Sequence, residues 1–357
     1  MTSLPFIGFA VALLALSACE VGRSDSPSPE PSASITQGLG VERIQAVVFD
    51  ARRAPGDSAL HAIHELGATH LALVSFGFQE AADSPSIRFS PDARWFSESA
   101  DGARALAERA GELGMGIIVK PQIWIRGGAW TADIGFDSDA DWISWENDYR
   151  SYIIHAARLA AEIGADILIV GTELSNSVQQ RPTFWRRLIE DVRQVYDGKL
   201  TYGANWHDDY LEVPFWDALD MVGVQAYFPL ASIPAPDLST ILAGWDNHLS
   251  DVRALAARHQ RPILFTELGY RSVPYAADEP WRWASRDERV EPDYRLQADL
   301  YRGFFETFWH RPWFDGAIIW KFYPEGDRRG RGREVDFTPQ GKPAEEVLRT
   351  WFTATAG

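Results

Sequence analysis

A chain of 357 residues, 46% of them apolar, holds enough hydrophobic material for one large core or two small ones. Its formal net charge of -16 leaves no basic stripe to neutralise phosphates, which excludes a nucleic-acid binder. Fifteen tryptophans are a high count, and flat indoles with an apolar face and a polar N–H suit sugar rings.

The N-terminus reads as an address. Residues 6–16 form an apolar run too short to span a bilayer. Leu16-Ser17-Ala18-Cys19 then resembles a bacterial lipobox, which implies cleavage before Cys19 and lipid on that residue. Cys19 is the only cysteine, so no disulfide forms within the chain. Glu20 suits sorting to the outer membrane of a Gram-negative cell; a periplasmic or secreted protein is the alternative. Ser and Pro dominate residues 20–40, which read as a disordered tether. The folded domain is expected over 41–357.

From Val41 strands and helices alternate. Strands are predicted at 44–49, 69–75, 116–120, 166–170, 200–204, 221–225, 262–266 and 316–320. Helices are predicted at 57–66, 99–113, 145–163, 183–196, 238–259, 294–310 and 344–350, with a fragment at 215–219. Gly67 and Gly114 close the first two helices. Pro121 is taken to end the third strand, and 122–130 to form a long loop rich in Trp and Gly. Eight strand–helix units imply parallel strands and an α/β fold, the closed TIM (β/α)8 barrel. An open doubly wound sheet is the rival, but neither a Gly-x-Gly-x-x-Gly turn nor a P-loop occurs.

The chemistry is expected where two strands end. Ile167-Leu168-Ile169-Val170-Gly171-Thr172-Glu173-Leu174 and Pro262-Ile263-Leu264-Phe265-Thr266-Glu267-Leu268-Gly269-Tyr270 share one grammar. Each is a buried apolar run that delivers a Glu at its carboxyl end, the end where barrels of this kind build active sites. Strands four and seven face each other across the mouth. Two carboxylates flanking a sugar can split a glycosidic bond if one is protonated and the other ionised. The residues alone do not decide which Glu takes which part.

Six motifs do more. Gly171-Thr172-Glu173-Leu174, Phe184-Trp185-Arg186-Arg187-Leu188-Ile189, Leu200-Thr201-Tyr202-Gly203-Ala204-Asn205-Trp206, Phe215-Trp216-Asp217-Ala218-Leu219-Asp220, Gln225-Ala226-Tyr227-Phe228-Pro229-Leu230 and Phe265-Thr266-Glu267-Leu268-Gly269-Tyr270-Arg271 occur in that order. Together they resemble glycoside hydrolase family 113, over roughly residues 44–322. The resemblance implies a retaining endo-β-1,4-mannanase working by double displacement, with Glu173 as acid/base and Glu267 as nucleophile. Thr172 stands where many enzymes of the wider clan place an Asn that binds the sugar 2-hydroxyl. Tyr227 resembles the clan tyrosine that holds the nucleophile.

Other mouth residues are expected to bind substrate. Trp320 is placed as a stacking floor. Asn205, Trp206 and His207 end the fifth strand, where at least one should bond a sugar hydroxyl. Lys120 ends the third strand and either reaches a hydroxyl or pairs with a rim carboxylate. Trp124 and Trp130 form outer subsites or pack their loop. The eight histidines make no metal site, and no cofactor is expected. Asp139-Ala140-Asp141, Asp208-Asp209 and the basic run 328–333 read as solvated loops. A β-linked polysaccharide or oligosaccharide is the expected partner of a monomeric chain, tethered to the membrane by its lipid. Another β-glycan, transglycosylation, or a non-catalytic carbohydrate-binding lipoprotein are the alternatives.

Overall fold

The strand–helix alternation closes on itself. The computed structural model describes residues 43–207, 209–283, 289–324 and 333–354. Cys19 with its signal and tether, Asp208, and the basic run up to residue 332 lie outside the described residues. Nine strands are present among them: β1 (Ile44–Phe49), β2 (His70–Gln79), β3 (Ile87–Arg88), β4 (Gly116–Ile125), β5 (Ile167–Thr172), β6 (Lys199–Asn205), β7 (Val222–Gln225), β8 (Ile263–Leu268) and β9 (Phe314–Phe322). All but β3 are parallel. They run β1-β9-β8-β7-β6-β5-β4-β2, and β1 pairs with β2 to complete an eight-stranded barrel. The helices are α1 (Asp57–Glu65), α2 (Ala100–Glu112), α3 (Asp139–Glu162), α4 (Ser175–Gln180), α5 (Pro182–Arg193), α6 (Asp209–Glu212), α7 (Leu238–His259), α8 (Tyr294–Phe308) and α9 (Pro343–Ala354). No helix among the described residues is long and apolar enough to cross a membrane.

Period-2 alternation in the strands builds two apolar layers. Ala46, Val48, Ile118, Ile169, Leu264 and Ile318 point into the barrel, and their column ends at Tyr227 and Trp320. Val47, Leu71, Leu168, Val170 and Phe265 point outward against the helices. Every residue of β1, β5 and β8 is buried, and burial on both sides is why these strands are mostly apolar.

Three expectations are corrected. Pro121 does not end its strand: β4 continues to Ile125, paired with β2 from His70↔Gly116 to Gln79↔Ile125. Its ladder to β5 stops at Val119, so Pro121 lies where one edge has no ladder, a position a residue without an N–H tolerates. Asp139 and Asp141 are not loop residues. They form the first turn of α3, which the Ser138 side chain caps by accepting from the Asp141 amide at 3.1 Å. Asp139 also meets Arg181 at 2.9 Å. Asp209 is not a loop residue either: it opens α6, which like α4 was not anticipated, since at four and six residues these helices carry no periodic signal.

The strand that delivers Glu173 is clamped by aromatic residues. Trp145 and Tyr149 of α3 stack at 4.8 Å, and Trp185 of α5 stacks on Phe215 at 5.5 Å. The Tyr149 hydroxyl donates to the Val170 carbonyl at 2.9 Å. Gly171 lets these rings approach: a Cβ there would lie 2.6 Å from the Tyr149 hydroxyl and 2.7 Å from the Trp185 ring. Gly171→Ala should therefore cost about 1–3 kcal/mol by overpacking, read as a lower urea midpoint at unchanged slope.

Candidate active site

The mouth is deepened on one side. The second halves of β2 and β4 extend about 20 Å, six residues at roughly 3.3 Å each, past the end of the β4–β5 ladder. This wall carries Phe76, Phe78 and Trp124 along a cleft of about 1520 Å³. Thr172, Glu173, Asn205, Trp206, His207, Tyr227, Glu267 and Trp320 also line it, so the residues expected to cut or bind the sugar, other than Lys120, share one cleft.

Lys120 lies beneath the cleft, fully buried, with its Nζ donating to Glu267 Oε1. Of the two readings left open for it, pairing with a carboxylate is the one observed, and the carboxylate is Glu267. Gln122 Nε2 donates to the same oxygen at 2.8 Å, and the Tyr227 hydroxyl donates to Oε2 at 2.7 Å. Three donors thus converge on one carboxylate, which is acceptor-only when ionised. Burial pushes the Lys120 ammonium down from its ordinary value, opposed by Glu267 and then Glu173. Burial and Glu267 push the Tyr227 hydroxyl well up, so it stays a donor.

Gln122 was missed because Pro121 was taken as the strand's end. The available signal was spacing: Lys120 and Gln122 stand two apart, on one face of a strand.

Glu173 is held differently. It follows β5 with φ 53°, in the left-handed region that a Glu rarely adopts. Its amide donates to the Gly203 carbonyl at 2.9 Å, its carbonyl accepts from Thr131 Oγ1 at 3.1 Å, and the next amide, Leu174, donates to the Tyr202 hydroxyl at 2.7 Å. Backbone strain of about 1–3 kcal/mol, fixed by surrounding bonds in this way, is typical of functional positions. Burial, then the charge of Glu267, raise the Glu173 carboxyl to about 7. Lys120 and a hydrogen bond from Trp130 pull it back, and Asp209 adds to the rise. Trp130 is therefore a partner of Glu173 as well as a half-exposed ring at the cleft edge.

Two buried polar atoms in the cleft wall, Thr172 Oγ1 and Trp320 Nε1, have no hydrogen-bond partner within the protein. Such atoms cost free energy unless something bonds them. Trp320 also has the Lys120 and Lys321 ammonium groups 5.6 Å and 4.7 Å from its ring centre. Lys321 pairs with Asp50, and Glu98 completes this charged corner, its carboxyl raised to about 7 by burial and then by Asp50. The sequence reading did not single out Asp50, Glu98, Trp281 or Trp283, all of which line the cleft. They come from connecting segments whose path no periodicity reveals. Among the described residues no group of three or more His, Cys, Asp or Glu could hold a metal ion.

A carboxyl still protonated near neutrality, facing a carboxylate fixed by three donors, can supply one proton and one nucleophile. Comparison with known proteins agrees with that chemistry. The model of Glycoside Hydrolase Family 113 matches residues 49–353. The chain belongs to glycoside hydrolase family 113. It is thus a glycoside hydrolase. A solved family 113 β-mannanase from Alicyclobacillus acidocaldarius, in complex with ManMIm, is 26% identical with a TM-score of 0.77 over 89% of this chain and 100% of that one. A family 113 β-1,4-mannanase structure is likewise 26% identical, with a TM-score of 0.75 over 88% of this chain and 99% of that one. A family 5 mannosidase from Rhizomucor miehei, 10% identical with a TM-score of 0.63 over 89% of this chain and 94% of that one, shares the fold. Among curated proteins, none matches this chain.

Proposed function

We propose that this family 113 hydrolase is a retaining endo-β-1,4-mannanase. The observation that carries the reading is the unlike holding of the two carboxyls: three donors on Glu267, and a desolvated, raised Glu173. Glu267 attacks the anomeric carbon. Glu173 gives its proton to the glycosidic oxygen as that bond breaks, and the leaving chain departs as an alcohol. Glu173, now ionised, takes a proton from water, which displaces Glu267 with net retention. Tyr227, Gln122 and Lys120 orient Glu267, and Trp320 lies under the sugar at the cleavage point. The unmet Thr172 hydroxyl faces the 2-hydroxyl, which is axial in mannose. The β-mannanases at 26% identity support this substrate over a glucan or xylan.

Product analysis on mannan, glucomannan, xylan and mixed-linkage glucan tests it. Manno-oligosaccharides of several lengths, formed with retained β-configuration, are expected. Release from xylan or mixed-linkage glucan alone would reassign the substrate, and inverted products would reject double displacement.

We also infer from Leu16-Ser17-Ala18-Cys19 that the enzyme is lipid-anchored. Cys19 carries lipid, and residues 20–40 hold the barrel off an outer membrane. Palmitate should label the native protein and leave Cys19→Ala unlabelled and unprocessed or released. Equal labelling of both would remove the anchor.

A further inference from the structure

Two large indoles stand exposed in the cleft on one segment. Between β8 and α8, Trp281 and Trp283 line the cleft and are 41% and 55% exposed. Large apolar surface left open in a concave site marks a place where something binds. Although only two residues apart, the two rings meet opposite banks. Trp281 stacks on Trp206 at 4.9 Å and 20°. Trp206 directly follows β6, the neighbour of the strand that ends at Glu173. Trp283 stands edge-on to Trp320 of β9 at 6.4 Å, and to Phe337 at 5.1 Å. Arg282 between them is tied back, paired with Glu279 at 2.6 Å and lying 4.8 Å over the Tyr275 ring.

The strand order fixes what each bank faces. β8, with Glu267, lies between β9 on one side and β7 and β6 on the other. The proton donor sits on the side of the departing chain, so the Trp206–Trp281 bank borders the leaving sugars. The Trp320–Trp283 bank borders the sugar that becomes bonded to Glu267.

We propose that Trp281 and Trp283 form an aromatic bracket astride the scissile bond, Trp281 with Trp206 holding the leaving sugar and Trp283 with Trp320 holding the attacked one. This rests on the proposed roles of Glu173 and Glu267. The ligand is a β-linked chain of neutral hexopyranoses occupying both sides, whose C–H faces pack on the indoles. A bracket with both sides filled favours cuts within a chain. It also holds an acceptor sugar against the covalent intermediate, so it promotes transfer over hydrolysis.

The test compares mannohexaose with an aryl β-mannobioside, which has no sugar on the leaving side. Trp281→Ala should lower kcat/KM on mannohexaose about tenfold to a hundredfold, lower the aryl substrate by a clearly smaller factor, and reduce transfer products. Trp281→Phe should recover most of the loss. Trp283→Ala should lower both substrates together. Equal losses on both substrates for Trp281→Ala, or a Trp283→Ala enzyme that spares the aryl substrate, would overturn the bracket. Calorimetry on Glu267→Ala separates this from the catalytic reading. There Trp281→Ala or Trp283→Ala should each weaken mannohexaose binding about tenfold or more, with cellohexaose as probe should product analysis give a glucan. Unchanged affinity overturns the bracket whatever the fate of the two carboxylates.

Discussion

Glu267→Ala should reduce mannan hydrolysis to background, and added azide should restore turnover of an activated aryl mannoside as the inverted α-azide. With the carboxylate gone no covalent intermediate forms, and a small anion fills the space left above Lys120, Gln122 and Tyr227. That pocket already holds an anion, which is why an external one should enter. Glu173→Ala should respond in the opposite stereochemical sense. Attack by Glu267 on an activated substrate needs little protonation, so the intermediate forms and then waits for a base. Azide needs no base and should give the retained β-azide. Inverted product from Glu173→Ala together with retained product from Glu267→Ala would exchange the two roles. Removing Lys120 instead would leave Glu267 buried without its counter-charge, and loss of one partner of a buried pair costs about 3–5 kcal/mol. A Lys120 variant is thus a folding experiment before it is a catalytic one, and the Glu267 variant is the cleaner test.

The frame of this site was legible because apolar runs and their ends are local signals. β1 spans the residues expected of it, and β5 and β8 deliver Glu173 and Glu267 to one mouth. What was not legible depends on contacts far apart in sequence. Lys120 and Glu267 are 147 residues apart and meet only when the barrel closes. A lysine at a strand end gives no sign that it will be fully buried. Pro121 misled because proline stops most strands, and the missing β5 ladder that excuses it is a tertiary fact. Ser138 did carry a local signal, a cap three residues before Asp141, that would have extended α3 by two turns. Trp281 and Trp283 lie where no periodicity exists, and their contacts with Trp206 and Trp320 could not be read from spacing.

Glu173→Gln should make the protein more stable than wild type at pH 8 and equally stable at pH 4, while slowing mannan hydrolysis about 10²–10⁴-fold. The folded carboxyl titrates at about 7, against an ordinary value of 4.5, because burial and then Glu267 disfavour its charge. Folding therefore favours the protonated form. Below the ordinary value both folded and unfolded chains hold the proton, and the stability this group contributes is fully present. It is lost as pH rises through 7, where the fold must carry an unwelcome charge. A shift of this size corresponds to about 3 kcal/mol at most, and water in the cleft lowers it, since Glu173 is partly exposed. Gln has the same shape and no charge, so it escapes the penalty. Glu98 also titrates at about 7, but it is present in both proteins and cancels in the difference. The same proton governs the rate: kcat/KM of the wild type on mannan should fall about tenfold per pH unit above 7, and Glu173→Gln should lose that limb. Thermal unfolding at the two pH values and one pH–rate profile suffice. A stability difference that does not change with pH would mean that the fold releases the Glu173 proton as early as the unfolded chain does, and a proton donor near neutrality would then have to be sought elsewhere in the cleft.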